Sequence, residues 1–144
     1  TEVSLGELVS DTVYRLSNKA AENGVTLNTD ITESTVSGDK TLLSMLLYNL
    51  TENGIKACKQ GGKVKISCAD QQLTVEDDGK GMTPEQLTHI TEPFYRTDRS
   101  RSRSEGGAGL GLALCKQIAE AHNASMRFES EPEKGTKITL VFTS

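Results

Sequence analysis

Leu5, Leu8, Val9, Val13, Leu16 and Ala20 recur every three or four residues, with polar residues between them. This spacing predicts an amphipathic helix, with Ser4 as its N-cap and Gly24 as its stop. Val25, Leu27, Thr29 and Ile31 then alternate with polar residues, which predicts a half-buried strand. Gly38 and Asp39 turn the chain, and Asp39 suits the N-cap of a long helix from about Lys40 to Lys59, closed by Gly61 and Gly62. KVKISCA and QLTVED predict two strands joined by a short turn around Asp70 and Gln71. DDGKGM breaks the second strand, and TPEQLTHI predicts a short helix with Thr83 as cap and Pro84 in its first position. Residues 92–108 have no periodicity and are rich in Arg, Ser and Gly, which predicts a long mobile loop; such loops in compact domains are usually lids or binding loops. LGLALCKQIAEAHNA predicts a third long helix with Leu110, Leu114, Ile118 and Ala121 on one face. SMRFESE and TKITLVF close the chain as two strands joined by PEKG. The order of elements predicts an α/β two-layer sandwich, with three main helices on one face of a mixed, mostly antiparallel sheet.

The central helix breaks its own pattern. At about 100° per residue, Asn49, Asn53 and Lys56 share one face with Leu42, Met45 and Leu46 upstream. On this reading a core-facing stripe turns polar in its last two turns, and Ser44, Tyr48, Thr51 and Ile55 fall on the exposed side. Buried amides and an ammonium are costly without partners. Three readings follow: neighbouring loops satisfy them, the helix end emerges into water, or a ligand rich in oxygen and negative charge sits there. An amide oxygen can ligate Mg²⁺, and a lysine suits phosphate as a point charge. Gly54 weakens the helix and so marks the close approach of another group.

Two glycine clusters sharpen the third reading. EDDGKGM places Asp77 and Asp78 at a strand end before Gly79 and Gly81. A plain turn is one reading, since Asp-Gly is a strong turn signal. A calcium loop is excluded, because with Gly79 in the sixth place the first falls on Thr74. An ionised aspartate beside residues without side chains suits a flat ring: it accepts from the amine of adenine and repels the carbonyl of guanine. GGAGLGLAL opens the third helix with Gly106, Gly107, Gly109 and Gly111, and glycine-rich backbone at a helix N-terminus is an anion site. Neither a Walker A loop nor G-x-G-x-x-G fits this stretch. Arg96, Arg99, Arg101 and Arg103 read as a solvated basic loop or, beside a phosphate site, as clamps for a triphosphate, with Arg96 and Arg101 the chosen pair.

Composition narrows the class without naming it. The chain has 144 residues, 35% apolar and 25% charged, with a net charge of −4. That is the size of one domain with its own core, and the charge argues against general nucleic-acid binding. No apolar run approaches the roughly 20 residues that span a bilayer. Cys58, Cys68 and Cys115 are odd in number and far apart, and His89 and His122 are not at ligand spacing. They read as packing residues rather than a zinc site or a disulfide framework, and a reducing compartment is expected.

The order and spacing of NLTENGIKA, DDGKGM, EPFYRTDRSRS, GAGLGLAL and KGTKITLVF resemble the N, G1, F, G2 and G3 boxes of the catalytic ATP-binding domain of sensor histidine kinases, over residues 39–143. The resemblance implies the Bergerat fold over residues 1–144, with residues 1–6 a linker tail and 92–108 an ATP lid. It implies ATP and Mg²⁺ as cofactors, with Asn53 the magnesium ligand, Asn49 beside it and Lys56 on phosphate. Asp77 would bind the adenine amine, Gly79 and Gly81 would shape its pocket, and Phe94 would anchor the lid. Gly107, Gly109, Leu110 and Gly111 would border the phosphates, Arg96 and Arg101 would clamp them, and Thr136 would touch the adenine side. Glu52 is implied as a helper in activating an acceptor histidine.

Two departures leave the contacting groups intact: Gly54 stands where alanine is frequent, and HNAS replaces a histidine–glycine–glycine turn. The acceptor histidine is a larger gap. In the family it lies on a preceding dimerisation domain and is followed by an acidic residue, whereas Ile90 follows His89 and Asn123 follows His122. The implied activity is transfer of the γ-phosphoryl of ATP to a histidine on that phosphoacceptor domain, within two-component signalling and upstream of a response regulator. The implied setting is a cytoplasmic domain, monomeric by itself, of a homodimeric parent that can be membrane-anchored. Two alternatives remain: an anti-sigma-type serine kinase or switch protein, and a hydrolytic ATPase. Hydrolytic relatives carry a glutamate four residues before the metal-binding asparagine. Here that place is Asn49, and an amide cannot take a proton at neutral pH.

Overall fold

The computed structural model describes residues 1–89 and 108–142. The elements in chain order are β1 (Glu2–Ser4), α1 (Leu5–Glu22), β2 (Thr26–Ile31), β3 (Thr35–Ser37), α2 (Lys40–Ala57), β4 (Lys63–Ala69), β5 (Gln72–Asp77), α3 (Pro84–His89), α4 (Ala108–Ala121), β6 (Ala124–Glu131) and β7 (Gly135–Phe142). Residues 92–107 of the expected lid, with Phe94, Arg96, Arg101 and Gly107, lie outside the described residues.

The main sheet runs β2-β4-β5-β7-β6. Only the β2–β4 pair is parallel; the other three pairs are antiparallel. Val64, Ile66 and Cys68 on β4, Leu73 and Val75 on β5, and Ile138, Leu140 and Phe142 on β7 alternate inward and meet the buried sides of α1, α2 and α4. The helices therefore cover one face, as the sequence predicts, and the architecture is the mixed two-layer α/β sandwich of the Bergerat type. The other face stays wet. Across it Lys65, Glu76, Lys137 and Glu129 stand in one cross-strand row of alternating charge, an arrangement that favours this register.

The local signals hold. Ser4 accepts from Glu7 N–H, Asp39 accepts from Leu42 N–H at 3.1 Å, and Thr83 and Gln86 bond each other's backbone N–H reciprocally as a capping box. Asp70 and Gln71 both have positive φ, 51° and 60°, as a tight two-residue hairpin turn requires. His122 adds a tie that the sequence does not announce. Its Nδ1 donates to Ile118 O and its Nε2 accepts from Asp39 N–H, so both ring nitrogens are engaged in seating the start of α2 on the end of α4.

Three expectations are corrected. The buried side of α2 is Leu43, Leu46, Leu47, Leu50, Thr51, Gly54 and Ile55. Thr51 and Ile55, expected outside, are inside, while Leu42 and Met45 are 36% and 42% exposed. The reason is that the first turns of α2 are apolar nearly all round, so polarity does not fix the helix's rotation; contact with β4 and β5 does. On α4, Ile118 is buried, but Leu114 and Ala121 of the expected face point outward, and Ala113, Cys115 and Ala119 are buried instead. These small side chains let α4 approach α2 closely, with Cys115 Sγ 3.6 Å from Leu46 O. On β2, Thr29 and Ile31 are exposed: β2 is an edge strand, and Ile31 lies against the start of α1 at Gly6, which has no side chain to cover it. Residues 1–6 pack on the fold: β1 pairs with β3, Val3 and Leu5 are buried, and Leu5 and Gly6 begin α1.

Candidate functional site

Asp77 closes β5 where Asp78 and Gly79 stop the strand. Parity with Leu73 and Val75 points it to the helix side of the sheet, and its backbone is held in register by Val64 on one side and Thr136 on the other. Burial pushes its carboxyl up to about 6, partly opposed by the backbone N–H groups of Gly79 and Thr136, while Asp78 and Glu76 add to the rise. The Gly79 N–H donates to Asp77 Oδ1 at 2.8 Å. The neighbouring Asp78 braces the end of the sheet instead. It accepts from Lys63 N–H at 2.9 Å and from the Cys58 thiol at 3.6 Å. Burial, with Asp77 and Asp78 nearby, pushes that thiol up to about 11, so Cys58 stays protonated and serves as a packing donor.

Residues 78–82 are clamped from two sides. Lys80 N–H donates to Ala57 O at the end of α2, Lys80 O accepts from Glu133 N–H, and Met82 N–H donates to Ser130 Oγ at 2.8 Å. The glycines make this possible. A Cβ on Gly79 would lie 2.4 Å from Ala57 O, and one on Gly81, whose φ is +67°, would lie 1.8 Å from Glu131 O. Both were expected to shape a pocket. Their first role is to let three backbone segments meet and hold the loop after Asp77.

The last turns of α2 come alongside. Gly54 packs against Val64 and Asp77, at the ordinary contact distances of 3.4 and 3.6 Å for an added Cβ. Asn49 and Asn53 are half-buried and Lys56 is exposed. The face they share is thus the rim of the helix rather than its core stripe. No side-chain hydrogen bond joins either amide to another described residue. Glu52 differs: it is bonded to Lys19 of α1 at 2.6 Å, and that hydrogen bond holds the lysine above its ordinary range. Beside it, Arg15 lies 4.7 Å over the ring of Tyr48.

A cavity of about 530 Å³ opens along the ends of β5, β6 and β7, with Asp77, Ser130, Thr136 and Leu87 in its lining. Asp77 and Thr136, both expected at the site, face each other across one register position. Gly109, Leu110 and Gly111 fall in the first turn and a half of α4. Sequence reasoning missed Ser130. Its signal was present: Ala124, Met126, Phe128 and Ser130 form the inward row of β6, and a hydroxyl ending an apolar row asks for a partner. Among the described residues no three His, Cys, Asp or Glu come together as a metal cluster, and no helix is long and apolar enough to cross a membrane.

Residues 38–144 match the family described as histidine kinase-, DNA gyrase B- and HSP90-like ATPase. The signal transduction histidine-protein kinase BaeS of Escherichia coli is 39% identical over 125 residues, 83% of this chain and 27% of that protein. The sensor-like histidine kinase SenX3 of Mycobacterium tuberculosis is 37% identical over 145 residues, 97% of this chain and 35% of that one. The chain thus spans about a third or less of the curated relatives it matches. The mycobacterial sensor histidine kinase MprB superposes with a TM-score of 0.85 at 26% identity, covering 99% of this chain and 97% of that one. The corner around Asp77, the polar rim of α2 and these matches carry one conclusion: the chain belongs to the histidine kinase-, DNA gyrase B- and HSP90-like ATPase family, where it sits with the catalytic ATP-binding domains of histidine kinases.

Proposed function

We propose that this domain binds MgATP and passes the γ-phosphoryl group to a histidine on a separate or preceding dimerisation domain, from which a response regulator is served. The observation that carries this reading is the seating of Gly54 against Asp77, which brings the base-reading carboxylate next to the helix that bears Asn49, Asn53 and Lys56. Asp77 accepts the adenine amine. Asn53, with Asn49 beside it, suits Mg²⁺ through amide oxygens, and that ion neutralises charge on the phosphates. Lys56 suits a phosphate as a point charge, and the backbone opening α4 at Gly109 and Gly111 suits phosphate oxygens. Phe94, Arg96, Arg101 and Gly107 complete the set as residues of the lid.

In the transfer, the bond from the bridging oxygen to the γ-phosphorus breaks, a bond from the acceptor imidazole nitrogen to phosphorus forms, ADP leaves, and the imidazole gives up its proton. The nucleophile belongs to the partner domain, so this chain supplies positioning and electrostatic stabilisation. His122 is no candidate acceptor, since both of its ring nitrogens are occupied within the fold. Asn49 stands where a hydrolase needs a base, which favours transfer over hydrolysis.

Titration with MgATP and MgGTP tests the base assignment. ATP should bind more tightly, and Asp77→Asn should weaken it about tenfold or more. Equal affinity for the two nucleotides, or an unimpaired mutant, sinks the assignment. Labelled ATP mixed with the separately made dimerisation domain should label a histidine. Fast phosphate release by this chain alone would instead make it a hydrolase.

A further inference from the structure

The main sheet ends at β6, and among the described residues nothing pairs with this strand on the side away from β7. Its outer edge is therefore a row of backbone donors and acceptors open to another strand. The register says which residues own that row. Phe142 N–H donates to Gln71 O, so the backbone of Phe142 faces β5. Alternation then turns Val141, Thr139 and Lys137 towards β6, and their partners Ser125, Arg127 and Glu129 back towards β7. Met126, Phe128 and Ser130 are left with N–H and C=O pointing outward.

The side chains along this edge match a second copy of the same edge. In the run Arg127, Phe128, Glu129, a half-buried phenylalanine stands between two exposed and opposite charges. Two copies of β6 laid antiparallel about a two-fold axis through Phe128 bring that residue against itself. The two phenylalanines then exchange both N–H···O bonds, as their outward backbone allows. Met126 meets Ser130 of the second copy in the same way, on each side of the axis. Arg127 falls opposite Glu129 of the second copy, and Glu129 opposite Arg127 of that copy. These are the non-hydrogen-bonded pairs, in which facing side chains come closest. On the open face, the row Lys65, Glu76, Lys137 and Glu129 gains Arg127 of the second copy as its next member, and the alternation of charge continues.

Other registers fit worse. A slip of one residue sets outward backbone groups against groups already turned to β7. A slip of two sets Arg127 against Arg127, or Glu129 against Glu129, on the axis. The opposite edge of the sheet, β2, has no such match, since its only charge is Asp30.

We propose that β6 is a self-association edge, on which two copies of this domain pair antiparallel about Phe128 into one continuous sheet. The pairing needs no assignment of the nucleotide site, and it departs from the monomer that the family resemblance implies. One strand edge buries less than a standard interface, so a dissociation constant on the order of 0.1–1 mM is expected. Tethering of copies within a longer assembly reaches effective concentrations of that order.

Sedimentation equilibrium of this chain from about 20 µM to about 1 mM brackets that range. The mean mass should climb towards that of a dimer at the upper end. Arg127→Glu gives each edge two facing carboxylates, and Glu129→Arg gives each edge two facing cations. Each variant alone should lose at least about tenfold in association. Mixed in equal amounts, the two should pair at least as well as the wild type, because every charge then faces its opposite. Both side chains are exposed, so the fold should tolerate either change. Amide hydrogen exchange gives a reading that needs no substitution. The N–H groups of Met126, Phe128 and Ser130 should exchange more slowly at the high concentration than at the low one. A wild type that stays monomeric at the highest concentration overturns the proposal, as does exchange at these amides that ignores concentration. Self-association that is indifferent to both variants, or a mixture that pairs no better than its separate components, overturns it as well.

Discussion

The Asp77 corner and the α2 rim are neighbours built on opposite plans. At the corner, Asp77, Asp78, Lys80, Met82, Ser130 and Thr136 are tied to one another or to backbone. At the rim, Asn49 and Asn53 have no side-chain bond to another described residue, and Lys56 stands exposed in the last turn of α2. On the proposed assignment of the base to the corner and of MgATP's metal and phosphates to the rim, the difference says how the labour would divide. A base is recognised by which atoms accept and which donate, so the groups that read it are frozen before it arrives. A metal and a chain of phosphates bring their own charge, so the groups that hold them can wait with open valences.

Substitutions in the backbone weld should separate the two regions most sharply. Gly81→Ala puts a Cβ into Glu131 O at a residue with φ of +67°. The flexible end of no side chain can yield here, so a loss of about 3 kcal/mol or more in unfolding free energy is expected by denaturant titration. Asn53→Ala should change stability by less than about 0.5 kcal/mol while weakening MgATP strongly. A rim variant that unfolds the chain, or a corner variant that spares its stability, breaks the comparison.

Asp77→Asn sharpens the comparison with pH. The folded carboxyl sits at about 6 against an ordinary 3.8, chiefly through burial. A raised folded pKa means that the native state holds the proton more tightly than the unfolded chain. Stability from this group is therefore full below about pH 4 and is lost as pH rises through about 6. At pH 7.5 the unliganded Asp77→Asn chain should be more stable than wild type by about 1–2 kcal/mol, because the neutral amide keeps an acceptor for Gly79 N–H without a buried charge. Near pH 4 the two should converge. Thermal unfolding across this range checks it, and a wild type that gains stability between pH 4 and 6.5 relative to the mutant overturns it.

Much of the corner was legible in the sequence because its signals are local. Parity along QLTVED sends Asp77 inward with Leu73 and Val75, and glycines two apart mark close backbone approach. The rim was legible in content but not in orientation. Leu42, Leu43, Met45, Leu46 and Leu47 offer two apolar stripes, and choosing between them requires the sheet: Gly54 meets Val64 and Asp77, which turns Thr51 and Ile55 inward and the asparagines to the edge. Ties between distant segments, such as His122 with Asp39 or β1 with β3, leave no periodic trace at all. Thr51 shows the cost of the true orientation. Among the described residues its buried hydroxyl has no hydrogen-bond partner, so Thr51→Val should stabilise the chain by about 1 kcal/mol, seen as a higher denaturation midpoint at unchanged MgATP affinity.

Glu52 is the residue that tests where the rim ends. It lies on α2 between Asn49 and Asn53, yet its carboxylate is bonded to Lys19 on α1, with the glutamate side chain 20% exposed and the lysine 39%. By the criterion of satisfied valences it belongs to the scaffold. The pair is partly in water, so either Lys19→Met or Glu52→Gln should cost only about 0.5 kcal/mol of stability, and both together little more. MgATP affinity should be unchanged in each. Phosphotransfer decides the rest. If Glu52 works only as a brace for α1, the two single variants transfer at the same rate. A rate that drops at least tenfold in Glu52→Gln while Lys19→Met keeps or exceeds the wild-type rate would mean that the carboxylate leaves Lys19 to act at the acceptor histidine, and the rim would then include one group that is bound at rest and released for the reaction.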